Sequence, residues 1–152
     1  MKKGQILSAC ALLALVGLVA AGCGGGGKKG SALSKDDYVA ALNKICTNAN
    51  SQLSSLGLSN TIDSFKTDGD QVVKIGEDTV DKIKALSPPD EVKAAAQEFT
   101  EATEHAVSDL KDATSAAKSG DQSKFTQALT HAQSDSAKGD AAASEMGADG
   151  CA

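Results

Sequence analysis

The sequence predicts an all-α protein: an antiparallel, up-down four-helix bundle over residues 34–152, closed by one disulfide and preceded by an apolar leader and a Gly-rich linker. Three observations predict it. Apolar residues recur at spacings of three and four along four stretches, the period of one helix face. Gly57, Pro88-Pro89 and Gly120 punctuate those stretches, so the connections are short and consecutive helices run antiparallel. Ala and Ser are abundant while aromatics are scarce, three Phe and one Tyr without Trp, which favours helix and a core of closely packed small side chains.

The first helix begins at Ser34-Lys35-Asp36-Asp37, which reads as a capping box, with Leu33 and Tyr38 placed to form a hydrophobic staple. Tyr38, Leu42, Ile45, Ala49, Leu53 and Leu56 share its inward face. Gly57 stops it, with Leu58 placed to touch Leu53 in a Schellman cap. The second helix runs from about Asn60 to Leu86 on a stripe of Ile62, Phe65, Gly69, Val72, Gly76, Val80, Ile83 and Leu86. Gly69 and Gly76 lie on that stripe, which points to close approach of a neighbouring helix, with a kink near Asp68-Gly69-Asp70 as the alternative.

Pro88-Pro89 ends the second helix and starts the third, which spans about Pro89 to Ser119. Its stripe is Val92, Ala96, Phe99, Thr103, Ala106, Leu110, Ala113 and Ala117, and Gly120 closes it. Asp121 caps a fourth helix with Phe125, Leu129 and Ala132 inward. Beyond Ala132 that face offers Ser and Ala, with Gly139 as a weak point, so this helix is expected to be the one least able to hold itself in place.

The N-terminus reads as an export signal. Lys2 and Lys3 form a positive region, Ile6 to Ala21 an apolar one, and Cys23 follows the small residues Ala20-Ala21-Gly22. The apolar stretch falls short of the roughly 20 residues that span hydrocarbon. Ala20-Ala21-Gly22-Cys23 resembles the lipobox of bacterial lipoproteins, with Ala20 where Leu is the usual residue. The resemblance implies cleavage after residue 22, a lipid on Cys23, and a place on the outer face of the cytoplasmic membrane. Residues 23–33 are then the lipidated Cys and a flexible linker.

Cysteine arithmetic supports the same reading. Cys10 leaves with the signal and Cys23 takes the lipid, so Cys46 and Cys151 have only each other in an oxidising compartment. A bridge between them would close a loop of about 100 residues and stabilise the fold by roughly 4–5 kcal/mol on the chain-entropy view. It would pin the weak fourth helix to the first. Cys46 lies roughly two to three turns into the first helix, so either Gly147 to Cys151 folds back along it or the fourth helix ends early.

Composition and spacing exclude several functions. Loss of Lys2 and Lys3 leaves 13 Lys against 20 acidic residues, a net charge of −7 with no Arg at all. Such a surface lacks the basic footprint of nucleic-acid binding and is repelled by anionic headgroups, so the lipid on Cys23 must hold the chain at the membrane. His105 and His131 sit beside their apolar stripes rather than on them, and neither follows a Glu at the third preceding position as a di-iron bundle requires. No haem, other cofactor or metal is expected. Asp68-Gly69-Asp70 starts like a calcium loop but has Gly at the wrong place and Thr79 where the bidentate Glu belongs. Glu98, Glu101 and Glu104 read as a solvated face. No nucleophile is paired with a base, so no catalytic residue is assigned and no enzyme is expected.

Ser34-Lys35-Asp36-Asp37-Tyr38 through Ile45-Cys46-Thr47-Asn48-Ala49-Asn50, the hinge Leu86-Ser87-Pro88-Pro89 and the final Gly150-Cys151 together resemble small helical lipoproteins of actinobacterial cell envelopes. That resemblance implies a helical domain with one disulfide in a cell-envelope setting, and no catalytic role. Two functions are compatible with these features. One is a tethered binding or interaction module for an envelope protein. The other is a carrier holding a lipid or other apolar ligand between the Gly- and Ala-lined second and third helices.

Overall fold

A computed structural model describes residues 33–152, and among them it has four α-helices and no strand. The leader of residues 1–22, with Cys10, and the linker from Cys23 to residue 32 lie outside the described residues. The helices are α1 (Lys35–Ser55), α2 (Ile62–Lys84), α3 (Lys93–Ser119) and α4 (Gln122–Met146). They alternate in direction, so the start of α1, the end of α2, the start of α3 and the end of α4 meet at one end of the bundle.

Local signals set the boundaries. The Ser34 hydroxyl accepts from the Asp37 amide (3.2 Å) and donates to the Asp37 carboxylate (2.7 Å), so the capping box closes through the two side chains. Leu33 packs on the cluster that holds Tyr38, and its N–H donates to the Ser87 carbonyl (3.1 Å), tying the entry of α1 to the α2–α3 hinge. Asp121 accepts from the Lys124 amide (3.0 Å) and caps α4 as expected. Gly120 and Gly147 end α3 and α4 in the left-handed conformation, with φ of 74° and 80°. In both cases the next residue's amide reaches back five residues along the helix: Asp121 to the Ala116 carbonyl (2.9 Å) and Ala148 to Ala143 (2.8 Å). The turn at Gly57 differs. Its inner bond to the Ser54 carbonyl forms (3.2 Å), but Leu58 packs on the cluster around Phe65 instead of completing a Schellman cap over Leu53.

α2 continues unbroken through Asp68-Gly69-Asp70, so close packing and not a kink accounts for its glycines. A methyl group at Gly69 would meet Thr114 at 2.6 Å, and one at Gly76 would meet Val107 at 2.7 Å. The antiparallel α2–α3 register is repeated on the outside by three ion pairs: Asp70 with Lys118 (2.6 Å), Glu77 with Lys111 (2.8 Å), and Lys84 with Glu104 (2.6 Å). Seven-residue steps on both helices keep these pairs on one seam, the repeat of coiled-coil packing. Being exposed, each is worth little in stability, but the sign reversal at Lys84–Glu104 disfavours a slipped register.

α4 overturns the expectation that it would hold itself poorly. It shares with α3 the most extensive interface in the molecule. Ala128, Ala132, Gly139, Ala142 and Ala143 are buried on it, and side chains this small let two helices approach closely enough that many weak contacts replace a few large ones. Past Gly147 the chain turns back through a 3-10 turn at Asp149–Cys151 that lies along α1, where the Gly150 N–H donates to the Asn43 side-chain oxygen (2.8 Å). Cys46 and Cys151 form the expected disulfide, with Cα atoms 5.0 Å apart.

Candidate functional site

The core of this bundle is divided. At one end Tyr38 and Leu42 of α1 pack on Ile83, Ala96, Phe99 and Met146. At the other end Phe65 meets Phe125 edge to face, ring centres 5.2 Å apart, with Ala113, Ala117 and Ala128 around them. Between the two clusters the large anchors give way to small residues from every side: Ala49 of α1, Gly76 of α2, Ala106 of α3 and Gly139 of α4. α1 approaches α2 and the terminal 3-10 turn closely, and α3 and α4 hardly at all. The result is a half-enclosed cleft of about 380 Å³ along the seam between α1 and α4.

Its walls are chiefly apolar, with Ile75, Ile83, Phe99, Val107 and Leu110 forming the inner side. The Cys46–Cys151 bridge lines it near the end that Tyr38 and Leu42 fill, and exposed Asn50 and Asp140 stand at the opening. A second, more open hollow of about 400 Å³ lies toward Leu58 and Phe65 and shares Leu53, Leu110 and Ser136 with the first. The two make one groove. The first part falls within the roughly 300–1,000 Å³ of small-molecule sites, and apolar walls with a few polar groups at the rim are the usual lining of such sites.

The histidines lie elsewhere, on the outer seam between α3 and α4. His105 is 72% exposed, and its Nδ1 is 3.9 Å from the Asp135 carboxylate; His131 is also exposed. Asp135 accepts from the Lys138 ammonium (2.6 Å), and that bond holds its carboxyl below the ordinary range. Burial pushes the neighbouring Asp109 carboxyl up, with the charge on Asp135 acting in the same direction. Among the described residues, no group of three or more His, Cys, Asp or Glu is arranged to hold a metal ion.

The remaining singled-out residues fall on helix surfaces. Asp70 is held by Lys118 and Glu104 by Lys84, while Glu98 and Glu101 are exposed. Cys23 lies outside the described residues, and no described helix is long and apolar enough to cross a membrane. Sequence reasoning put room for a ligand between the second and third helices, where Gly69 and Gly76 in fact pack closely on Thr114 and Val107, and it missed the groove on the α1–α4 seam. Its one signal was that small residues fall at mid-height on all four inward stripes.

The chain is therefore an all-α, disulfide-closed four-helix domain with an apolar groove on one seam. Compared with models of known protein families, with curated proteins and with solved structures, it matches none.

Proposed function

We propose that this chain is an exported, lipid-anchored, non-catalytic binding module of the cell envelope, and that what it binds is an apolar molecule held between its helices. Export and anchoring rest on the charged, apolar and small-residue order that ends at Cys23 and on the even cysteine count left behind it. The observation that supports the ligand is the divided core, which leaves an apolar groove where a bundle of this size would ordinarily be filled. Of the two functions compatible with the sequence, the groove favours the carrier over a module that recognises an envelope protein.

Both parts can be tested with the chain carrying Cys23→Ala. Fractionation should move it from the membrane to the soluble exported fraction, and continued membrane retention would remove the lipid assignment. Detergent-free native mass spectrometry of that soluble chain should then show one small apolar molecule per protein, or one Nile red after addition of the dye. A chain that carries nothing and takes up no dye would remove the ligand.

A further inference from the structure

The two ends of the groove differ in charge. Asp140 stands at one end, on the side of the disulfide, while the Asp135 carboxylate turns to Lys138 and His105 on the outer α3–α4 seam. The hollow at the other end has no charged residue in its lining, and no lysine lines either part. Lys138 neutralises Asp135 on that outer seam, and exposed Asp140 leaves the opening net negative. An anionic head would find no counter-charge anywhere along the groove, whereas a cation would find the Asp140 carboxylate at one end.

Length and volume limit the rest of the ligand. Along α4, eleven residues separate Asp140 from Leu129 in the uncharged hollow, about 16 Å of helix axis at 1.5 Å per residue. A chain carbon fills nearly the volume of a water molecule, roughly 30 Å³, so a cleft of this size takes about a dozen carbons. The disulfide-side cleft alone thus takes one acyl or alkyl chain of that size.

Resting on the ligand reading above, we propose that the groove takes a single-chain amphiphile with a positively charged head, the head at Asp140 and the chain running along the α1–α4 seam toward Leu58 and Phe65. The probes are dodecyltrimethylammonium and dodecanoate, each below its micelle concentration, competing with Nile red for the exported Cys23→Ala chain. The cationic probe should displace the dye at roughly fivefold lower concentration than the anionic one, the scale of one partly screened charge contact. Asp140→Lys should close or reverse that gap.

Gly139→Leu should abolish dye uptake from within, since a Cβ there meets Phe99 and Ala102 at an ordinary 3.8 Å and the longer side chain enters the groove. Ala49→Leu fills the groove from the opposite wall and serves if the first variant folds poorly. Equal displacement by both probes, or tighter binding of dodecanoate, would overturn the cationic head and leave the groove as a ligand site. Dye uptake that survives both filling variants would place the ligand outside the groove and overturn both readings.

Discussion

α3 and α4 meet along their whole length through Ala and Gly, whereas α1 is held chiefly at one end, by Tyr38, Leu42 and the Cys46–Cys151 bridge. The difference is one of size. Small side chains on both partners bring two helix axes together, while a pair of large side chains at one end props a third helix away from them. In the second half of α1 the cleft is lined by Cys46, Ala49, Asn50 and Leu53, of which Leu53 alone is large, and the groove is the space that remains. A bundle can thus be tight along one seam and open along another with nearly the same composition on each helix.

The disulfide carries the largest expected effect, because it is the covalent hold on the propped helix. Replacing both Cys46 and Cys151 by Ala should lower stability in urea by roughly 4–5 kcal/mol, the chain-entropy value for a loop of this length. The loss should be uneven. Hydrogen exchange should show α1 amides losing protection first while α3 and α4 keep theirs. Equal loss in all four helices would mean that α1 is as firmly packed as the others and would break the comparison.

Two glycines sharpen it from the other side. Gly69→Ala should cost about 1–3 kcal/mol, since the new methyl meets Thr114 atoms at 2.6 and 2.8 Å across the closed α2–α3 seam. Gly139→Ala should instead stabilise by about 0.5–1 kcal/mol, because its methyl has ordinary room beside the groove and the helix loses a flexible residue. Thermal melts of the two variants test the pair. If Gly139→Ala destabilises as much as Gly69→Ala, the α4 side is as full as the α2–α3 seam.

How much of this was legible in the sequence follows from how far each feature reaches. Ser34, Asp121 and Gly120 act over a few residues, so caps and helix ends were read nearly where they fall. The disulfide was readable by counting thiols. Gly69 and Gly76 were correctly read as close contacts because both lie on one stripe. The hold of α4 was misjudged because a hydrophobic stripe measures side-chain size and says nothing of how near the partner comes. Leu58 was misplaced because its partner Phe65 belongs to the next helix. The groove was the hardest to see. It depends on four stripes being small at the same height, and the ion-pair ladder that sets part of that register appears in the sequence only as scattered charges.

The smallest expected effect concerns the outer face of the tight seam, where Asp109 and Asp135 sit between exposed His105 and His131. Burial raises the Asp109 carboxyl, so the folded chain holds that proton more tightly than the unfolded one. Its ionisation therefore opposes folding above the raised value, and the penalty disappears as pH falls below the ordinary carboxylate range. Asp135 has the opposite sign. The hydrogen bond from Lys138 lowers it, so it contributes stability at neutral pH that is lost as pH falls through its folded value. Asp109→Asn should accordingly be slightly more stable than the parent in urea near neutral pH, and Asp135→Asn slightly less stable. The Asp109 difference should fade as pH drops below the ordinary Asp value of about 3.9, and the Asp135 difference only as pH drops below its lowered folded value. If Asp109→Asn is the less stable of the two at neutral pH, the partly buried carboxylate contributes a favourable contact that outweighs its desolvation. Part of the grip between α3 and α4 would then come from this polar outer face, and small-residue packing alone would not explain why this seam is closed and the α1–α4 seam is open.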